Sequence, residues 1–288
     1  MRAGLFPGQG IPAGTVLDWL PEGDPLVTEA QMTLGYPLRR RVKITARRDG
    51  ALLATELAQP AIFVASVRSW RETDAHFDFY AGHSLGEYSA LVAAGALSFG
   101  DALEVVRARA EAMNRASKST PGSMVAVLGM GIDEADAIAR RAGVQVANDN
   151  APDQVVLAGP EAALERAATL VSDAGARSVL LEVSGPFHTE GVATAADDLR
   201  RALASVDMRE PKVPVLSNVT ARPYGSADEI RDLLVTQLTH PVRWRESVEH
   251  LWSQGARDFV DFGPGKVVAG LAARVTRNLK RKEVPVGA

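Results

Sequence analysis

Within Gly82-His83-Ser84-Leu85-Gly86, a serine stands with a glycine two residues away on each side. The aromatic run Phe77 to Tyr80 before it reads as a strand, and Leu85, Tyr88, Leu91 and Val92 after it fall at helical spacing. This is the G-x-S-x-G pattern of a nucleophilic serine carried on a sharp strand-to-helix turn. Only glycine lets the two backbones pass so closely. The helix that follows aims its first amides and the positive end of its dipole at the serine oxygen. Leu85, directly after the serine, then owns one N–H of an oxyanion hole. Ordinary strand-helix turns also hold serines between glycines, so the chemistry requires a base.

Five histidines are available: His76, His83, His188, His240 and His250. His83 adjoins the serine in sequence, so on such a turn its side chain leaves in another direction. His188 lies in Ser184-Gly185-Pro186-Phe187-His188-Thr189, an irregular turn between two regions of different pattern. A hinge of that kind faces the cleft between domains, where small-molecule sites gather. His188 is therefore the candidate base, with a satisfied structural histidine as the other reading. Two further features stay open on residue type alone. The loop Phe6-Pro7-Gly8-Gln9-Gly10 either turns backbone N–H groups toward a ligand or is a plain tight turn. Arg109, placed near the end of a helix reaching about Met113, suits a helix C-terminus without any further role.

The elements that must position these residues follow from composition and punctuation. The 288 residues carry 46% hydrophobic and 23% charged side chains, enough for a large core in one big domain or two unequal ones. A net charge of -3 gives no general attraction to nucleic acid or membrane. The absence of cysteine excludes disulfides, thiolate metal sites and a cysteine nucleophile. No apolar stretch approaches the roughly 20 residues of a membrane span and no signal peptide is visible, so a cytoplasmic protein is expected.

Along the chain, residues 3–6 read as a strand, Asp24-Pro25 as a helix start, Tyr36-Pro37 as a break and Gln59-Pro60 as the opening of a helix. The segment 11–58 is otherwise poorly patterned. It holds the basic cluster Arg39, Arg40, Arg41, Lys43, Arg47 and Arg48; a second basic run occupies 274–282. Such clusters are usually solvated surface but can meet an acidic partner. Ser98 and Asp101 cap a long helix. After Pro121-Gly122 the order becomes strand Met124–Leu128, helix 133–141, strand Val144–Ala147, the turn Asn148 to Pro152, strand Gln154–Ala158, helix 161–174 and strand Ser178–Val183. This βαββαβ succession is a ferredoxin-like unit occupying 122–184. Helices near 190–204, 227–237 and 245–254, strands Val213–Ser217 and Asp258–Phe262, and a last helix from Val267 return to α/β patterning.

Taken in order, these blocks resemble the malonyl-CoA:acyl carrier protein acyltransferases of fatty acid and polyketide synthesis. The resemblance runs through Phe6-Pro7-Gly8-Gln9-Gly10, Gln59-Pro60-Ala61, Gly82 to Leu91, Arg107-Ala108-Arg109, Gly185 to His188, Ser217-Asn218-Val219, Gln237-Leu238 and Phe262 to Val267. It implies an α/β fold, with an α/β-hydrolase-like large domain (1–121 and 185–288) and an inserted ferredoxin-like small domain (122–184). By position it implies Ser84 as nucleophile, His188 as base, and Gln9 and Leu85 as oxyanion-hole donors. Arg109 would hold the malonyl carboxylate, Gln237 would orient the histidine, and Phe187 and Asn150 would border the acyl group. The reaction implied moves malonyl from coenzyme A to the phosphopantetheine thiol of an acidic, transiently bound acyl carrier protein. It needs no metal or redox cofactor, and neither nucleic acid nor membrane. Alternatives on the same fold are a carrier-to-carrier transferase for a larger acyl unit and an acyl hydrolase, which the arginine disfavours. The sequence departs from the family at Ile11-Pro12-Ala13 and at His240, and 11–48 matches weakly; acyl size and carrier choice are what these touch.

Overall fold

A computed structural model describes residues 1–283, so the last five positions of the expected large domain lie outside the described residues. Two sheets form. The first is parallel and draws on both ends of the chain: β1 (Arg2–Phe6), β2 (Phe79–Gly82), β7 (Val215–Leu216) and β8 (Asp258–Asp261), in the order β7-β2-β1-β8. The second is antiparallel and continuous in sequence: β3 (Ser123–Leu128), β4 (Gln145–Ala151), β5 (Gln154–Gly159) and β6 (Arg177–Leu181), in the order β4-β5-β3-β6. Twelve α-helices accompany them among the described residues. They are α1 (Ala13–Asp18), α2 (Pro25–Leu34), α3 (Leu38–Thr45), α4 (Thr55–Arg71), α5 (Gly86–Ala93), α6 (Phe99–Ser119), α7 (Ile132–Ala142), α8 (Glu161–Asp173), α9 (Ala196–Ala204), α10 (Ala227–Thr236), α11 (Trp244–Ser253) and α12 (Val267–Glu283). The fold is thus α/β, mixing one parallel and one antiparallel sheet.

Alternation along the strands decides which helices each face receives. Ala3, Leu5, Phe79 and Ala81 point to one side of the parallel sheet, into a core with Trp244, Leu251 and Leu271 of α11 and α12. Phe6 and Tyr80 point to the other, into the large core built on α4, α5 and α6. Both faces are covered, which is why these strands read as short apolar runs without polar alternation. The antiparallel sheet divides likewise. Val125, Val127, Val155 and Leu157 pack on α7 and α8, while Met124, Ala126, Val156 and Ala158 join the large core on the opposite face.

Several boundaries differ from the sequence reading. Helix α4 begins at Thr55, leaving Pro60 inside it. A proline interrupts a helix by missing its N–H bond; here tertiary packing tolerates it, and Pro60 is buried. Helix α6 runs to Ser119, so Arg109 sits in its middle, and the helix-end explanation for that cation falls away. The expected turn at 148–152 is mostly strand. Strand β4 continues to Ala151 through two register shifts against β5, and Asp149 N–H and Val242 N–H exchange bonds with Val242 and Ala147 carbonyls at 2.9 Å each. Asn148 looks turn-like in isolation, yet it pairs with Val156 on one side and Val242 on the other. The helix near 190 starts as a 3-10 turn, Glu190–Ala195.

Candidate active site

Strands β1, β2 and β8 end on the same edge of the parallel sheet, and their loops converge there, as ligand sites of open α/β sheets require. At the end of β2 the chain turns at Ser84 with φ +52° and enters α5. Glycine is obligatory beside it. A Cβ on Gly82 would stand 1.9 Å from the carbonyl carbon of Gly86, and one on Gly86 would stand 2.2 Å from the Phe6 carbonyl oxygen. Ser84 itself is a non-glycine residue in the left-handed region, a conformation costing about 1–3 kcal/mol that persists only where its surroundings hold it.

His188 is the second such residue, at φ +61°. Its Nε2 lies 2.8 Å from Ser84 Oγ, and its Nδ1 lies 2.8 Å from the Gln237 carbonyl oxygen. A carbonyl only accepts, so Nδ1 carries the ring proton and Nε2 is left to accept from the serine hydroxyl. Burial drives the His188 pKa down to about 3, with the Arg109 charge acting in the same direction. The imidazole is therefore neutral at physiological pH, in the tautomer a general base needs.

Arg109 is fully buried behind the serine. One of its terminal nitrogens donates to Ser84 Oγ at 3.0 Å and to Gln237 Oε1 at 3.0 Å, and the other donates to Gln59 Oε1 at 2.6 Å. Burial lowers its pKa, offset in part by Tyr88 and Glu87. Gln237 touches His188 through its backbone carbonyl alone. Its side chain instead spans Arg109, the Ser84 carbonyl at 3.0 Å and Glu87. The contact of Gln237 with His188 is thus made by its backbone, while its side chain is held by Arg109, Ser84 and Glu87.

A cavity of about 280 Å³ opens in front of the pair, lined from the parallel-sheet side by Gln9, Ser84, Phe187 and His188 and from the antiparallel side by Asn148 and Asn150. Among the described residues the Gln9 and Leu85 amides have no hydrogen-bond acceptor, so both are available to donate. Phe187, buried, also borders a second cavity of about 440 Å³ with Leu52, Thr55 and Arg48. Asn150 spends its Oδ1 on His83 Nε2 at 2.8 Å, tying the turn to β4; His83 thus lines the same cavity but is engaged by Asn150 and not by Ser84. Asp149, beside it, is buried and paired with Arg245 at 2.7 Å, which ties β4 to α11. His240 is exposed and bonds only its own helix end and Thr239. The basic clusters are partly committed elsewhere. Arg39 meets Glu22 and the Leu20 carbonyl, and Arg41 covers the Tyr36 ring. Arg274 bonds Asp153 and Gln154, whereas Arg40, Lys43, Arg47 and Arg48 stay exposed.

Three residues that build the site drew no role from the sequence: Gln59, Glu87 and Asn218, all fully or almost fully buried. Their signal was present. Gln59 and Glu87 are polar positions among the buried residues of α4 and α5, and a buried polar group has a partner.

The family model described as an acyl transferase domain matches residues 16–286. The chain is 41% identical over 289 residues to the malonyl CoA-acyl carrier protein transacylase of Bacillus subtilis (strain 168), covering 96% of this chain and 90% of the relative. Among solved structures it superposes on an acyl-carrier-protein S-malonyltransferase from Burkholderia pseudomallei 1710b with TM-score 0.88, at 38% identity, over 96% of this chain and 94% of that one. It also superposes on a malonyl-transacylase solved in complex with a type II polyketide synthase acyl carrier protein, with TM-score 0.87, at 37% identity, over 96% and 93% of the two chains.

Proposed function

The chain belongs to the acyl transferase domain family, and on that premise we propose that it carries malonyl from coenzyme A to the phosphopantetheine thiol of an acyl carrier protein through an acyl-serine. One observation carries the reading: a neutral histidine nitrogen and a buried arginine nitrogen both meet the same serine oxygen, at 2.8 and 3.0 Å. As Ser84 Oγ attacks the thioester carbonyl, His188 Nε2 takes its proton. The carbonyl oxygen becomes an oxyanion on the amides of Gln9 and Leu85; such donors are worth about 2.7–4 kcal/mol each in other acyl-transfer enzymes. The intermediate collapses, the C–S bond breaks, and the imidazolium returns its proton to the coenzyme A thiolate. The carrier thiol then attacks malonyl-Ser84 with the same steps reversed. Arg109 holds the distal carboxylate in the meantime, its planar fork suited to a bidentate grip. Among the described residues no acid stands behind His188. A thioester is already an activated donor, and the Gln237 carbonyl fixes the tautomer. The same chemistry needs no metal or redox cofactor.

The antiparallel unit, 122–184, is read as a ferredoxin-like insert in an α/β-hydrolase-like domain formed by 1–121 and 185–288. The βαββαβ order, the strand arrangement β4-β5-β3-β6 and the assembly of the parallel sheet from both flanking segments support this. The carrier is expected to approach the exposed Arg40, Lys43, Arg47 and Arg48, since Arg48 borders the cavity next to the site. That second cavity also favours the larger-acyl alternative, in which Phe187 would turn aside.

Intact-mass spectrometry after mixing with malonyl-CoA, acetyl-CoA and longer acyl-CoAs tests the function. A malonyl adduct on Ser84, absent from Ser84→Ala and discharged by holo-carrier protein, is the expected result. An adduct elsewhere, or loading of acetyl as fast as malonyl, would sink the assignment.

A further inference from the structure

Glu87, three residues after the serine, has no part in the mechanism above, yet its carboxylate is fully buried at the centre of the site's hydrogen bonds. Its two oxygens serve different partners. Oε1 accepts from the Asn218 backbone N–H at 2.6 Å and from the Tyr224 hydroxyl at 2.9 Å. Oε2 accepts from Gln237 Nε2.

Each branch leads to one half of the reacting pair. Asn218 Oδ1 accepts the Ser84 backbone N–H at 2.7 Å, and its Nδ2 donates to the Gly82 carbonyl at 2.7 Å. Its side chain thereby grips the turn on both sides of His83 and holds Ser84 in its left-handed conformation. On the other branch, Gln237 fixes Arg109 with its side chain and His188 with its backbone carbonyl. Asn218, Gln237 and Arg109 are all buried, so water cannot take over these bonds.

Residue type matters here. Asn218 N–H and Gln237 Nε2 can only donate, so the ionised carboxylate is the form this geometry fits. No carboxylate among the described residues lies within ion-pair reach of Arg109, and Glu87 is the acid that answers its charge, one amide away. A glutamine at 87 would set amide nitrogen against amide nitrogen. Gln237 would have to turn over, and its Nε2 would then face the Arg109 guanidinium, donor against donor.

We propose that Glu87 is a positioning residue: through Asn218 it sets the serine turn, and through Gln237 it sets His188 and Arg109. The inference rests on the Ser84–His188 reading above, and its test is arranged to separate the two. Phenylmethylsulfonyl fluoride modifies an activated serine without any acyl-CoA, so its rate of reaction at Ser84 reports the pair itself. Malonyl-CoA loading and the malonyl-to-acetyl ratio report the proposed function.

Folded Glu87→Gln is expected to slow both reactions by about 100-fold, the effect of a displacement near 1 Å, with KM nearly unchanged. The malonyl-to-acetyl ratio should also narrow. Asn218→Ala, which cuts one branch, should slow both reactions and leave that ratio intact. Should Glu87→Gln not fold, Tyr224→Phe decides, since it strips one donor from Oε1 and touches neither Ser84 nor Arg109; a loss of about ten-fold in the sulfonylation rate is expected. Wild-type sulfonylation rates in folded Glu87→Gln, or in Tyr224→Phe where that is the only folded variant, would overturn the proposal. Sulfonylation of Ser84 in a wild type that ignores malonyl-CoA would remove the function and leave Glu87 to be judged on the sulfonylation rates alone.

Discussion

The parallel-sheet side supplies the cavity mainly from loops and turns, whereas the antiparallel sheet supplies it from residues within its strands β3, β4 and β5. Ser84 and His188, both at positive φ, belong to the first. Met124, Ala126 and Val156, which line the opposite wall, are ordinary inward positions of β3 and β5. The contrast teaches where local geometry is held by something beyond the strand itself. A wall needs only period-2 alternation and a packed back face. A serine in a sparsely populated conformation needs bonds that hold it, and here they come from Asn218 and Gln237, far away in sequence.

A pair of substitutions sharpens this contrast most. Gly82→Ala forces a Cβ into backbone 1.9 Å away, so the serine turn must open. We expect either no folded protein or folded protein with malonyl loading reduced by about 1000-fold or more. Leu157→Ala, in the core behind the antiparallel sheet, should remove about 2–5 kcal/mol of stability yet leave loading per folded molecule unchanged. Denaturant melts together with active-site titration measure both. Equal losses of loading in the two variants would break the distinction.

Arg109→Ala comes next in size. It removes the cation from the parallel-sheet side and leaves Gln59 and Gln237 without their donor. Malonyl loading should fall by about 100-fold while acetyl loading falls far less, because only the former needs a carboxylate partner. The ratio of the two adducts in a mixed acyl-CoA experiment reads this directly. An unaltered malonyl preference would show that the guanidinium does nothing but fill its place in α6.

The smallest effect is in the pH profile. With its pKa pushed down to about 3, His188 stays deprotonated through pH 6.5, so the histidine itself should give no acid limb there. Burial drives the Glu87 carboxyl up to about 8, against the hydrogen bonds from Asn218, Tyr224 and Gln237 and the Arg109 charge. A decline as pH falls through that region would therefore follow protonation of Glu87 and vanish in Glu87→Gln. Stopped-flow loading between pH 5.5 and 9 distinguishes the cases. A limb centred near 6.5 would mark an ordinary, solvated imidazole.

The sequence by itself determined whatever depends on neighbours along the chain. Gly82 and Gly86 announce the turn because no other residue allows the approach, and Asp24 and Ser98 cap the helices that follow them. Short apolar runs marked the strands of the antiparallel unit, and several short blocks in fixed order pointed to the family. Boundaries failed where packing overrode a local rule, as at Pro60 and at Asn148 to Ala151. Tertiary structure alone decided that Arg109 lies mid-helix against Ser84, that Gln237 serves His188 through its backbone, and that Asn150 is engaged by His83. It also brought Glu87 within reach of Asn218 and Gln237, 131 and 150 residues away. The physical reason is the same in each case: a buried polar group must be satisfied, but its residue type does not say by whom, and only the closed fold chooses the partner.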